Sequence, residues 1–519
     1  MPERASQRPN AKTTLTTPDQ TAVIPKLRDA KTPRRDPWGE DEDHSDVPPG
    51  EQVHVNSIGV WPWLLPALLM AVVGYAGITR PSLWTDELAS WGMTTVSYDD
   101  MFKVLKYVDA IIGPYYVLLH GWTDLVGNSD LMVRLPSLAA MVLAAGLIGA
   151  LGARLASRRV GLAAGLIFAV LPSSARFAQE ARVYALATFF AVLATVTLVA
   201  ALRRPGFFRW LGYLLAVAVL GVLHPISLLL LGAHGWVVFA QYRHRTLGWM
   251  ITAFLGALPA LPLLKYGSEQ KAQVSWITKP DTYTLQHFPG ELVGTASIAA
   301  LILVLSLFAL PLRRPTALYT AWAVLPPIFL VVAAQFTPIF LTRYLLFSLP
   351  AWALLAAVAL GRAKVVWTVL GVLAIAGLAV PAQLDIRATD GHGEASREMA
   401  LTIADGFKPG DGIVYGMTDP GGNWVGRDSI AHYTPADRQP KDVLATQPQR
   451  TNGSFAALEC PDIPKCLGDT PRLWVVRLGY QEDPLGEMDN GKSVVIAERY
   501  KVTQTWRQKG FTLALAVKK

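Results

Sequence analysis

The chain has 519 residues, 52% of them hydrophobic and 17% charged, with a formal net charge of +8. Soluble domains carry about 25% charged residues, so this deficit speaks against an ordinary water-soluble globule and for a bilayer. The basic residues sit in short clusters between apolar runs, and no Walker-type loop or dinucleotide fingerprint occurs, which sets aside nucleic acid as a partner and ATP chemistry in the chain.

Residues 1–56 are polar and rich in Pro, Asp, Glu, Lys and Arg, with no short apolar core followed by a cleavage site. They read as a disordered cytoplasmic tail rather than a signal peptide. Apolar runs near the length needed to cross a bilayer then recur, over 57–79, 131–153, 160–175, 183–202, 208–223, 225–241, 247–264, 294–312, 316–335, 341–361 and 364–381. With the N-terminus inside, the even-to-odd connections hold Arg154, Arg158 and Arg159; Arg203, Arg204 and Arg209; Arg243 and Arg245; Arg313 and Arg314; and Arg362 and Lys364. These are twelve basic residues and no acidic one, the bias of cytoplasmic loops.

The stretch 111–126 is short and contains Gly113, Pro114, His120 and Asp124. Counting it as a span would move all twelve charges outside, so it reads as an interfacial helix on the outer surface. The expected fold class is therefore a polytopic α-helical membrane protein of about 11 transmembrane helices over residues 57–381, with outer loops at 80–130 and 265–293. The last 138 residues, 382–519, form an extracytoplasmic α/β domain in this reading. A helix-like stretch at 395–404 alternates there with β-rich runs at 412–415, 473–477, 493–497 and 511–517. Cys460 and Cys466, the only cysteines, fall in it, and a disulfide suits an oxidising outer compartment; a zinc site would need more ligands nearby. The domain shows no catalytic constellation, which favours structural cover over acceptor binding.

With that topology, the charges on the outer face become informative. Asp86 and Glu87 follow Trp84 within a few residues of the first span. An isolated acidic pair is ordinarily a solvated or capping feature. Here, however, cations appear where the inside bias would not put them: Arg176 and Arg182 flank Glu180 between spans three and four, Arg343 starts span ten, His224 links spans five and six, and Lys265 opens the second long loop. Any one of them can snorkel to headgroups, but several loops converging on one face with a carboxylate pair fit a phosphate site.

Leu83-Trp84-Thr85-Asp86-Glu87 resembles the Asp-Glu motif of the GT-C membrane glycosyltransferases, in the branch of protein O-mannosyltransferases and aminoarabinose transferases. Gly113-Pro114-Tyr115-Tyr116, Trp122, Gly127 and Arg134-Leu135-Pro136-Ser137 resemble the continuation of that loop. Gln179-Glu180-Ala181-Arg182-Val183-Tyr184 and Arg343-Tyr344-Leu345 resemble two further signatures. The likeness covers roughly 57–381 and has the look of actinobacterial members, for which mannose and arabinose are alternative sugars. It departs where the family often has His-Pro-Pro and this chain has Ile111-Ile112-Gly113-Pro114.

The resemblance implies an inverting transfer from a polyprenyl-phosphate sugar, mannose favoured, to an acceptor hydroxyl at the outer face. Asp86 is then the expected base, and Glu87 holds the acceptor or tunes its neighbour. Arg182 and Arg343 are first choices for the leaving phosphate, with Arg176, His224 and Lys265 second. Tyr115, Tyr116, Glu180 and Tyr184 fall on the acceptor or sugar side; Asp109 is either a hydroxyl ligand or a surface acid. The acceptor is left open between protein, glycolipid and polysaccharide. No cofactor is called for and no spacing demands a metal, leaving a divalent ion at the phosphate an open alternative. Two rivals are a transporter of lipid or anionic solute, which should carry ionisable residues deep in several spans, and a non-catalytic assembly protein with an outer binding domain.

Overall fold

The computed structural model of the protein describes residues 59–270, 274–310, 314–416, 424–488 and 491–519. The polar tail over 1–56 and Arg313 lie outside the described residues. The chain is helical from Trp61 to Asp385, in the order α1 (Trp61–Tyr75), α2 (Thr85–Met93), α3 (Tyr98–Leu105), α4 (Gly113–Val126), α5 (Asp130–Leu155), α6 (Arg158–Val170), α7 (Pro172–Ala178), α8 (Tyr184–Arg203) and α9 (Phe207–Leu223). There follow α10 (Leu230–Gln241), α11 (Thr246–Ala257), α12 (Leu261–Glu269), α13 (Thr282–Val293), α14 (Ala296–Phe308), α15 (Arg314–Ala334), α16 (Leu349–Gly361) and α17 (Val365–Asp385).

Among the described residues six helices are long and apolar enough to cross a membrane, or eight if each of two bent pairs is one span, and three shorter apolar helices accompany them. Each of the eleven stretches expected to span falls on a helix. By contrast α4, Gly113–Val126, is in none of these groups, and it carries His120 and Asp124.

Small residues let the first helices approach backbone to backbone. A β-carbon at Gly149 of α5 would lie 1.9 Å from the Pro62 carbonyl oxygen of α1, and one at Gly161 of α6 would lie 2.2 Å from the Gly149 oxygen. Within a bilayer such contact is what holds helices together, since lipid solvates apolar side chains as well as protein does. The bent pairs are α6–α7, at 65°, and α13–α14, at 88°. Pro172 begins α7, and Gly294, at φ +110°, ends α13. The two bends touch: a β-carbon at Gly294 would be 2.5 Å from Pro172 Cβ. That contact aims α7, with Arg176, at the loops where the acids lie.

The C-terminal region continues with α18 (Ser396–Gly406), β1 (Gly412–Tyr415), α19 (Val425–Tyr433), β2 (Lys441–Asp442), β3 (Ala445–Gln447), β4 (Leu458–Glu459) and α20 (Ile463–Leu467). It ends with β5 (Arg472–Leu478), α21 (Lys492–Arg499), β6 (Tyr500–Gln508) and β7 (Phe511–Lys518). The main sheet has order β2-β1-β5-β7-β6, with β1 parallel to both neighbours and β7 antiparallel to β5 and β6. Val414, Leu473, Val475, Ala514 and Ala516 form its core with Ile496 and Tyr500.

The strands expected at 412–415, 473–477 and 511–517 coincide with β1, β5 and β7. The strand expected at 493–497 is instead helix α21. Its β-branched run suits a strand by propensity, but burial follows the helical repeat, with Lys492 and Ile496 inside. Edge strand β6 was not expected: Tyr500, Val502 and Trp506 alternate with exposed polar residues along it, but a bulge between Val502 and Gln504 puts polar Gln504 into the apolar series. Cys460 and Cys466 are joined in a disulfide with Cα atoms 6.5 Å apart.

Candidate active site

Helix α2 begins without a cap of its own, because Trp84 at its N-cap offers no side-chain acceptor. The carboxylate of Glu394, 309 residues further on, fills that role: Oε2 accepts the Thr85 N–H at 2.8 Å and Oε1 accepts the Thr85 hydroxyl at 2.5 Å. Orphan amides and the helix dipole both favour an anion there. Asp86 and Glu87 follow in the first turn, and adjacent helical side chains diverge by about 100°. The two acids therefore meet opposite environments.

Glu87 turns inward and is fully buried. Arg134 grips it with two parallel bonds, Nε to Oε1 at 2.8 Å and Nη2 to Oε2 at 2.7 Å. The Ala181 N–H donates to Oε1 at 2.8 Å, and His392 Nδ1–H donates to Oε2 at 3.2 Å. Burial alone would raise the Glu87 pKa, but the charge and bonds of Arg134, aided by His392, hold it well below the usual carboxylate range. Arg134 also donates to the carbonyls of Ile78, Pro81 and Ser82 at 2.6, 3.0 and 3.2 Å. Both Glu87 oxygens are engaged by protein donors. Its bonds, with those of Arg134, tie α5, the 78–82 turn and the 179–183 loop around α2.

Asp86 turns the other way, its side chain 22% exposed. Its Oδ2 lies 3.4 Å from Arg343 Nη2 and 3.8 Å from Arg182 Nε, close enough for attraction without a hydrogen bond. Asp86 Oδ2, Arg182 Nε and Arg343 Nε are buried atoms with no hydrogen-bond partner among the described residues; Trp84 Nε1 and Glu180 Oε1 nearby are the same. Buried polar atoms without partners are scarce in folded proteins, and these five lie around Asp86, where a polar ligand could satisfy them.

The surrounding side chains fix that geometry. Arg182 Nη1 is 3.3 Å from the Asp86 carbonyl, 3.4 Å from Ser90 Oγ and 3.3 Å from the Tyr116 hydroxyl. Tyr116 in turn donates to Asp109 Oδ2 at 2.8 Å. Asp109 takes a left-handed backbone, φ 58°, and burial raises its carboxyl pKa against the pull of Arg182. The residue is half-buried and its carboxylate points to Tyr116. Tyr115 is fully buried beside Tyr116, ring centroids 6.2 Å apart. Two guanidinium groups lie near the Trp84 ring in cation–π contact, that of Arg176 at 5.7 Å and that of Arg343 at 5.6 Å from its centroid.

The other expected residues divide. Arg176 is matched by Glu180 at 2.7 Å, which leaves less of its charge for a phosphate. Burial raises the Glu180 pKa and Arg176 opposes it. Tyr184 packs against His224 and Tyr344, centroids 5.7 and 6.1 Å away, as part of an aromatic wall. His224 Nδ1 is hydrogen-bonded to Ser227 Oγ at 2.7 Å, and burial together with Arg182 pushes its pKa down to about 4, so at neutral pH it brings no positive charge. Lys265 is exposed on α12 and makes no ion pair among the described residues. A cavity of about 260 Å³ opens beside Arg343, lined by Phe177, Leu292, Leu341 and Leu346 with Glu291 and Thr342. No group of three or more potential metal ligands occurs among the described residues.

Sequence reasoning missed His392 and Glu394, which reach α2 from more than 300 positions away and carry no local motif. Arg134 stood out only by likeness, its pairing with Glu87 being invisible along the chain.

Residues 113–265 match the model of a family described as dolichyl-phosphate-mannose-protein mannosyltransferase. That stretch holds Arg182, Tyr184, His224 and Lys265 but not Asp86. A search of curated proteins finds no match. Among solved structures, ArnT from Cupriavidus metallidurans bound to undecaprenyl phosphate superposes with a TM-score of 0.57 at 14% identity, covering 88% of this chain and 98% of that one. Its apo state gives 0.57 at 13% identity, covering 87% and 97%. At these identities the likeness is one of fold over nearly the whole of both chains.

Proposed function

We propose that this chain, a multi-pass membrane protein with the GT-C fold, transfers a sugar from a polyprenyl-phosphate donor to an acceptor hydroxyl, with inversion at the anomeric carbon. The observation that carries this reading is Asp86 Oδ2, which makes no hydrogen bond among the described residues and faces Arg182 and Arg343, each within 4 Å. Mannose is the favoured sugar because the matching family model names it. The protein, glycolipid or polysaccharide nature of the acceptor stays open.

In this mechanism Asp86 accepts the proton of the acceptor hydroxyl as its oxygen attacks the sugar C1. The C1–oxygen bond to phosphate breaks on the opposite face, and polyprenyl phosphate leaves with the bonding pair. One displacement inverts the centre once. Negative charge grows on the phosphate, where Arg343 and Arg182 meet it with fixed donors and little reorganisation. The apolar side of the 260 Å³ cavity, ending at Arg343, suits the first isoprene units of the donor. Asp109 and Tyr116, joined to Arg182, are placed to bind hydroxyls of sugar or acceptor. The loop charges support a cytoplasmic N-terminus, with the site and the C-terminal α/β domain on the outer face.

The test uses purified protein in lipid nanodiscs with polyprenyl-phosphate mannose and a panel of acceptor alcohols, glycolipids and peptides. Polyprenyl phosphate should be released one for one with a transferred sugar of inverted configuration. Vectorial movement of lipid or anion in sealed vesicles, with no donor cleavage, would replace this reading with the transporter.

A further inference from the structure

The start of the Asp86 helix is held by side chains from the C-terminal region, not by its own neighbours. The Leu83 N–H donates to the Tyr433 hydroxyl at 2.8 Å, and the Leu83 carbonyl accepts from Ser396 Oγ at 2.5 Å. Two residues on, Glu394 accepts both the amide and the hydroxyl of Thr85. Helix N-termini leave amides unsatisfied, and a Trp at the N-cap cannot accept a bond, so this imported carboxylate supplies what the local sequence lacks.

Glu394 is itself braced. The next residue, Ala395, donates its N–H to the Lys509 carbonyl at 2.9 Å, in the turn between β6 and β7. Gly510 of that turn, at φ +84°, lies so close that a β-carbon on it would be 2.8 Å from Glu394 Cγ. Lys509 Nζ reaches back to the Asp390 carbonyl at 3.1 Å. A continuous path of contacts thus runs from the sheet through Glu394 to Thr85 and the residue after it, Asp86. The far end of α2 is gripped as well: the Arg450 guanidinium packs where a β-carbon on Gly92 would sit 2.3 Å from Cζ, and Asp428 holds Arg450 by two bonds at 2.9 and 2.6 Å.

We propose that Glu394 is a positioning residue for the transfer reaction, fixing the first turn of α2 so that the Asp86 carboxylate stands between Arg182 and Arg343. This rests on the assignment of Asp86 as the base. The C-terminal region is then a working part of the site, which neither structural cover nor acceptor binding describes.

Full-length protein carrying Glu394→Ala, Glu394→Gln, or Glu394→Ala combined with Asp86→Asn tests this in two ways. Hydrogen–deuterium exchange of peptides covering residues 83–90 reads the hold on α2 without any assay of activity. Glu394→Ala should raise exchange there at least 10-fold while α5 and β5 keep theirs, whereas Glu394→Gln, still able to accept from Thr85, should recover most of the protection. In transfer assays Glu394→Ala should lower kcat at least 10-fold with donor KM within twofold, and should have no further effect in the Asp86→Asn background. Unchanged exchange, unchanged kcat, or an equal loss on top of Asp86→Asn would each overturn the proposal. Should the unsubstituted protein transfer no sugar, the reading of function fails separately, and the exchange comparison alone then upholds or overturns Glu394 as the clamp. If Glu394→Ala does not fold, Thr85→Val, which removes only the 2.5 Å hydroxyl bond, takes its place with a smaller change of the same sign.

Discussion

Glu87 and Arg134, 47 positions apart, meet as a fully buried two-bond ion pair, Oε1 and Oε2 against Nε and Nη2 at 2.8 and 2.7 Å. The neighbouring acid, Asp86, is left without a hydrogen bond to Oδ2 among the described residues. One carboxylate is spent on architecture, and the other is kept available by it. Arg134 also closes the turn at Ile78, Pro81 and Ser82, so the pair joins the end of the first membrane helix to the helix that carries Asp86.

Breaking that pair from one side should be severe. Removing one partner of a buried ion pair costs about 3–5 kcal/mol, because the other charge is stranded. Arg134→Met is expected to lower the thermal unfolding midpoint in detergent markedly, read by a tryptophan-fluorescence melt. Arg134→Met together with Glu87→Leu should recover much of it.

Asp86→Asn should leave the fold alone and remove the chemistry. General-base catalysis contributes roughly 10²–10⁴-fold, so kcat should fall within that range. Donor binding, measured by retention of labelled polyprenyl phosphate, should stay the same or tighten, since a negative charge beside the phosphate is removed. Full transfer by this variant would defeat the assignment of the base.

Arg343 and Lys265 make a matched pair of tests. Loss of one transition-state donor typically costs about 3 kcal/mol, so Arg343→Ala should reduce kcat/KM by roughly 100-fold. Lys265 is exposed, and surface changes of that kind usually stay within about 0.5 kcal/mol, so Lys265→Ala should behave like the unsubstituted protein. Equal losses from the two would mean that the phosphate lies elsewhere.

Burial, with Arg176 adding to it, pushes the His392 pKa down from 6.5 to about 3. Between those values the unfolded chain binds a proton that the folded protein refuses, so stability is fully present above pH 6.5 and declines as pH falls toward 3. Glu87, whose folded pKa is also lowered, adds to the loss as pH falls below the ordinary carboxylate value. The melting midpoint should drop between pH 7.5 and pH 5, and His392→Asn should flatten that dependence.

The short disulfide should matter little. Cys460 and Cys466 are six positions apart, and closing so small a loop is worth about 2 kcal/mol in the chain-entropy account. Reduction should shift the melt slightly and leave transfer intact; abolished transfer would tie the bridge to the site.

Much of the architecture was legible because bilayers impose a simple rule, that a span is a long apolar run. The convergence of Asp86, Arg182 and Arg343 was legible too, because cations on the face that should be poor in them need a reason. Glu87 was harder: its likeness to Asp86 in sequence concealed opposite surroundings, which only the direction of helical side chains and the distant Arg134 decide. His392 and Glu394 left no trace, as neither belongs to a pattern with its neighbours. The run Ser493–Ala497 misled because local β propensity was overruled by packing on the sheet through Ile496.

The two broken helices meet where Gly294 of one lies against Pro172 of the other, with no room for a methyl group between them. Ser173, beside Pro172, is bonded to the Glu291 carbonyl, and Glu291 accepts from Thr342, next to Arg343. The joint is therefore a shared hinge pin for two walls, one bearing Arg176 and the other reaching Arg343. A side chain at position 294 would have to push the two walls apart, so Gly294→Ala is expected to disturb the surroundings of Arg176 and of Arg343 together.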